Sequence, residues 1–308
     1  MCRPPACEAP TDSYSLQSNL WPVTSFASSK HIYREPPYLA PQLKTFYDPR
    51  MSCPSGSYSP SGEKPAKVVE DWLEHDLIEV VGFSPATNDD LALAHCTDYI
   101  LSIFAGEIEN GHHNCDVAVA ESTRWTVGSM VAAALEAYHS GCIACSPSSG
   151  LHHACYDSNH GFCTFNGLVV AARKVLDLPG VERVGILDCD WHFGDGTQNI
   201  IQQLKLSDCI EHHTSGQNWH TEVAAYFDWL EEAVQQLVDN DVSLVLYQAR
   251  ADAHKRDPLG GLLDDEQLLE RDTLVFELYR KHHIPIAWNL AGGYQRVADG
   301  SIERVLAI

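Results

Sequence analysis

The stretch ILDCDWHFGDGTQ, residues 186–198, opens as an apolar run and then places Asp188, Asp190, His192 and Asp195 close together, with Gly194 and Gly196 beside them. Side chains alternate along extended backbone, so Asp188, Asp190 and His192 can share one side while Cys189 and Trp191 take the other. Asp252, just past the end of another apolar run, offers a further carboxylate. One imidazole with two carboxylates, His192 with Asp190 and Asp252, can grip a divalent ion and leave it room for water and a substrate oxygen, as a catalytic site requires. Zinc is the first expectation, although so oxygen-rich a set also suits iron, cobalt or manganese. An isolated D-x-D-x-H serves equally well to cap a helix and decorate a turn. The metal reading therefore depends on what else reaches the same place.

Three more groups do. His152 and His153 lie in SPSSGLHHA, where Pro147, Ser148, Ser149 and Gly150 permit the irregular backbone that lets adjacent imidazoles address one water. Asp188 and Asp195 are suitable acceptors for one imidazole each, fixing its tautomer and raising its basicity. Tyr294, in AGGYQ, can bring a phenol to the oxyanion of a tetrahedral intermediate. Other His-His pairs, at 112–113, 212–213 and 282–283, read as solvated or structural.

These clusters each follow a short apolar run of strand length: CIAC (142–145), RVGILD (183–188), SLVLYQ (243–248) and IPIAWN (284–289). Amphipathic stretches such as GSMVAAALEAYHSG and EVAAYFDWLEEAVQQLVDN separate them, and the alternation predicts an α/β fold, a mostly parallel sheet flanked by helices. In such sheets ligands bind at the carboxyl ends of the strands, so the four clusters should converge. A helix is expected from about Ala66, and Asn88, Asp89 or Asp90 is expected to cap another. Residues 1–43, rich in Pro, Ser and Tyr, read as an extension that is surface-lying or partly disordered, leaving 44–308 as a single catalytic domain.

With 42 acidic residues against 20 Lys and Arg, the formal charge of -22 argues against nucleic-acid binding. No apolar run is long enough for a membrane span, and eleven cysteines without regular spacing suggest reduced thiols and a cytoplasmic protein. Cys142 and Cys145 form a C-x-x-C with no second pair, which reads as strand packing.

Taken together, SGLHHA, GFCTFN, DCDWHFGDGTQ, ADAHKRDPLGG and LAGGYQ resemble the zinc-dependent histone deacetylase and acetylpolyamine amidohydrolase family, of the arginase/deacetylase fold, in a bacterial-type form. The five motifs stand in family order and span roughly residues 44–308. The resemblance implies an eight-stranded sheet, hydrolytic removal of acyl groups from amines, and a structural potassium ion near the Asp188–His192 segment. It implies Asp190, His192 and Asp252 as ligands of one catalytic Zn2+, His153 as general base, His152 as its electrostatic partner and Tyr294 as oxyanion donor. Gly161 and Phe162 would wall an acyl-lysine channel, Leu259 would stand at its rim, and Gly292 would also contact substrate.

Two positions depart from the pattern. Arg250 stands where relatives usually carry glycine, two residues before Asp252, and could repel the metal, obstruct the pocket floor or pair with an acid. Phe193 replaces a histidine common among relatives. The first functional expectation is a deacylase acting on acyl-lysine in a peptide or protein, and the second an acetylpolyamine or other small-molecule amidohydrolase. Leu259 favours the former, whereas Glu107 and Glu109 could serve a second substrate cation. A third is a non-catalytic acyl-lysine binder weakened by Arg250, and an arginase-like ureohydrolase lacks ligands in the third cluster. An oligomer is left open.

Overall fold

A computed structural model describes residues 42–217 and 221–294, so residues 1–41 of the expected extension lie outside the described residues. Seven strands form one sheet: β1 (Leu43–Phe46), β2 (Ile78–Val81), β3 (Ile143–Ser146), β4 (Val184–Asp188), β5 (Ile210–Thr214), β6 (Val245–Gln248) and β7 (Ile286–Asn289). Their order is β2-β1-β3-β7-β6-β4-β5, and every pairing is parallel. The expected α/β architecture is present, with seven strands rather than eight among the described residues.

Among the described residues eight α-helices accompany the sheet: α1 (Lys64–Glu74), α2 (Asn88–Leu91), α3 (Thr97–Ala105), α4 (Val117–Ser140), α5 (Gly167–Leu176), α6 (Asp195–Gln203), α7 (Val223–Asp239) and α8 (Asp265–His282). They divide into two layers. Val184 and Ile186 of β4 join one core with apolar residues of α3, α4, α5 and α6. Leu187 points the other way, into a second core with Tyr226 and Leu230 of α7 and Val275 and Tyr279 of α8. A strand covered on both faces has no polar side to show, which is why the central strands read as continuous apolar runs. Gly185 marks the closest approach of α7, because a Cβ there would come within 2.7 Å of Leu237 Cδ2.

Local signals start and stop the helices. Asp116 caps α4 by accepting from Ala118 N, and Gly141 ends it in the left-handed region at φ 66°. For α2 the cap is Thr87, not Asn88, Asp89 or Asp90. Its hydroxyl accepts from Asp90 N while Asp90 accepts from Thr87 N, so the expected acid closes the box from the third helical position. Helix α1 begins at Lys64, two residues before the expected start. Cys145 is buried in β3, whereas Cys142 is exposed just before it. No helix among the described residues is long and apolar enough to cross a membrane.

The register sets up the site. Ser146 pairs with Asn289, Asn289 with Gln248, and Gln248 with Asp188, so the last residues of β3, β7, β6 and β4 form one polar row across the sheet. The chain that follows each of these four adjacent strands must emerge at the same end.

Candidate functional site

Beyond that row the four clusters converge. His152, in the loop after β3, donates from Nδ1 to Asp188 Oδ2 at 2.7 Å, and Gln248 donates to Asp188 Oδ1 at 2.8 Å. His153 donates from Nδ1 to Asp195 Oδ1 at 2.6 Å. The two imidazole centroids are 3.9 Å apart. Each ring is therefore fixed in one tautomer, with Nε2 free of its proton. Burial pushes the His153 pKa down despite Asp195, and pushes that of His152 down further, so both are neutral near pH 7. Burial also raises Asp188, to about 6, while His153 and His160 outweigh burial at Asp195 and hold it low.

Asp190, His192 and Asp252 bring one donor atom each into a single group. His192 Nδ1 lies 3.1 Å from Asp190 Oδ1 and 3.2 Å from Asp252 Oδ2. Backbone contacts hold the carboxylates in place: His192 N donates to Asp190 Oδ1 and Trp191 N to Asp252 Oδ1. His152 Nε2 is 3.2 Å from Asp190 Oδ2, which puts the imidazole pair directly beside the donor group. An imidazole with two carboxylates suits zinc or another first-row divalent ion, and the three donor atoms lie within 4.8 Å of one another. The donor set fits the metal that the motifs imply.

Arg250 shares this space. Its guanidinium is ion-paired with Asp190 through Nη1, lies 3.1 Å from Asp252 Oδ2 through Nε, and donates to His152 Nε2 at 2.8 Å and Tyr294 Oη at 2.7 Å. Burial favours a raised Asp252 pKa, but Arg250 and His192 overcome it and hold the carboxyl at about 2. Of the three outcomes open to Arg250 in the sequence, pairing with acids is observed.

The remaining expected residues line the approach. Gly161 (φ 57°) and Phe162 (φ 62°) take consecutive left-handed conformations, and Gly161 packs so closely on the His153 ring that a Cβ would collide with it. The Phe162 ring lies 5.8 Å from that of Tyr294. Tyr294 is buried, its backbone N–H on Asp257 Oδ2 at 2.7 Å, and burial pushes its phenol up to about 12. Gly292 abuts the Arg250 guanidinium. Leu259 is 39% exposed, its N–H on Asp257 Oδ1. Glu107 and Glu109 are exposed.

Four supporting residues have contacts that the sequence did not indicate. Lys64, buried at the start of α1, donates to the carbonyls of Ala291 and Gly292, both at 2.6 Å, and burial lowers its pKa to about 7. Ser149 donates to the same Ala291 carbonyl. Arg271 of α8 donates to the Arg250 carbonyl at 2.8 Å. His160 sits 2.9 Å from Asp195 Oδ2, sharing with His153 the carboxylate that orients the latter. Ser149 opens the SGLHHA motif and His160 stands one residue before GFCTFN, whereas Lys64 and Arg271 lie in none of the five motifs.

The hydrogen bond to Asp195 raises His160 from 6.5 to about 10. A raised folded-state value means that the stabilisation is complete below about 6.5 and is lost as pH rises through about 10. His160→Asn is therefore expected to lower Tm most in mildly acidic buffer, with the gap to wild type closing at high pH. A gap independent of pH would refute the charge pairing.

A parallel sheet bearing carboxylates and imidazoles at adjoining strand ends defines the chain as an α/β protein with a metal-type site at the sheet's carboxyl edge. Residues 62–221, just over half of the chain, match the histone deacetylase domain family, and the chain belongs to it. The match carries His152, His153, Asp190 and His192 but ends before Arg250, Asp252 and Tyr294. A probable deacetylase of Methanothermobacter thermautotrophicus is 25% identical over 69% of this chain and 73% of its own length. Acetylpolyamine amidohydrolase 2 of Pseudomonas aeruginosa is 30% identical over 41% of this chain and 45% of its own length. Among solved structures the HDA15 HD domain shares the fold, with a TM-score of 0.69 and 16% identity over 82% of this chain and 86% of that one.

Proposed function

We propose that the chain hydrolyses N-acyl amides, removing acetyl or another acyl group from lysine side chains in a peptide or protein, with Zn2+ held by Asp190, His192 and Asp252. The observation that carries this reading is the pair of neutral imidazoles, His152 buried and His153 half-buried, each clamped at Nδ1 by its own carboxylate and set beside a three-donor group. When bound, the metal would polarise the amide carbonyl and lower the pKa of water toward neutrality. His153, its Nε2 unprotonated, takes a proton from the attacking water and returns it to the leaving amine. His152, held on Asp188, supports the charge that develops on His153. The Tyr294 phenol donates to the oxygen on which negative charge accumulates. No covalent intermediate with the protein is required.

Acyl-lysine is preferred to acetylated polyamine because Leu259, beside the site and partly exposed, offers an apolar contact where a second substrate cation would call for an acid. A structural potassium ion beside the 188–192 segment and a cytoplasmic setting belong to the same proposal. Arg250, lying against both carboxylates, favours a second reading in which the chain binds acyl-lysine without turning it over.

The test is kcat/KM at saturating zinc on acetyl-lysine peptides, longer acyl-lysine peptides and acetylated polyamines, with peptide affinity measured in parallel. Hydrolysis, highest on the lysine peptides, is expected. Binding without turnover would establish the second reading, and neither binding nor turnover would defeat both.

A further inference from the structure

We infer that Arg250 is the resident cation of this site: its guanidinium stands in for a divalent ion between Asp190 and Asp252, and metal enters only by displacing it. This rests on the donor set of the proposed hydrolase but concerns what occupies that set, not whether turnover follows.

The geometry is that of a tethered counterion. One guanidinium reaches Asp190, Asp252, His152 Nε2 and Tyr294 Oη together. It is nearly sealed from solvent, with Arg250 only 4% exposed. The surroundings accommodate it: Gly292 has no side chain at the point where a Cβ would strike the guanidinium, and Arg271 pins the Arg250 carbonyl. The backbone at Arg250 is left-handed, φ 50°, a conformation natural to glycine and costly for arginine, so the side-chain contacts must offset that cost.

The substitution balances charge without completing the hydrogen bonds. Arg250 Nε is buried and lacks a partner in hydrogen-bonding geometry, although it lies 3.1 Å from Asp252 Oδ2. A small divalent ion would satisfy the carboxylates better, so competition between the two cations is real. They cannot share the site, since two positive charges about 4 Å apart in a low-dielectric interior repel strongly. The Lys64 ammonium on the carbonyls of Ala291 and Gly292 places another basic group in the same wall.

Cobalt(II) and zinc titrations of the full chain, read by cobalt absorption bands and by chelator competition, test this in wild type, Arg250→Gly, Arg250→Gln and Asp190→Asn. Arg250→Gly should take up one ion with an affinity on the order of a hundredfold or more above wild type. The neutral but bulky Arg250→Gln should fall between them. Metal-free Arg250→Gly should unfold at a lower temperature than wild type and recover on adding zinc, whereas the wild-type Tm should barely respond. Should Arg250→Gly fail to fold, wild type and Arg250→Gln decide the matter. Tight uptake of one ion by wild type, lost in Asp190→Asn, overturns the inference, as does equal affinity in wild type and either Arg250 variant. If Arg250→Gly binds zinc tightly yet hydrolyses no acylated amine, the hydrolase reading fails and the resident cation stands.

Discussion

In the zinc-loaded protein, Tyr294→Phe is expected to lower kcat by on the order of a hundredfold or more. The substitution removes one oxygen and leaves the ring against Phe162 and the backbone N–H on Asp257. Packing is kept, so the loss reports the hydroxyl. With its pKa pushed up to about 12, the phenol stays protonated near neutrality and remains a donor. A donor aimed at developing charge strengthens in the transition state, so kcat should fall far more than KM rises. Zinc content and Tm measured on the same preparations separate this from misfolding. Undiminished turnover in a zinc-replete variant would remove Tyr294 from the reaction.

Asp252→Asn in the metal-free protein should cost about 3–5 kcal/mol of stability in urea denaturation, because it strips a buried guanidinium of one of its counter-charges. Asparagine keeps the shape and can still accept from Trp191 N, so charge is what changes. The double variant Asp252→Asn with Arg250→Gly should cost less than the sum of the two single changes, since the second removes the cation that the first strands. Strict additivity would mean that the two side chains do not interact. The sign with pH follows from the same pair. Asp252 is held at about 2 rather than 3.8, so its contribution is present above about 3.8 and disappears as pH falls through about 2.

The four strands that carry the site were legible because each is apolar on both faces and followed by a polar cluster. The other three were not. β2 and β5 are the sheet's two margins, and IEVV and IEHHT carry the charges and imidazoles that an edge tolerates. β1 is four residues long, with Lys44 and Thr45 at its centre. Within the site, Asp188, Asp190 and His192 could be read from alternation, and Asp252 and Tyr294 from their positions after strands. Lys64 and Arg271 could not, since their partners lie 227 and 21 residues away and nothing local in GEKPAK or LLERDT marks them. Arg250 was recognisable as a departure, but only the fold shows it touching both carboxylates, an imidazole and the phenol.

The grip of Lys64 on the turn after β7 also bears on the order of assembly. The first long helix and the last described strand belong to opposite ends of the chain, and the loop between them is among the longest this molecule can close. A nascent polypeptide cannot complete the pocket until β7 and its turn have left the ribosome, however much of the sheet has already formed. Shortened translation products that stop before residue 291 would retain the histidine pair and all three donors, Asp190, His192 and Asp252, without the wall that encloses them.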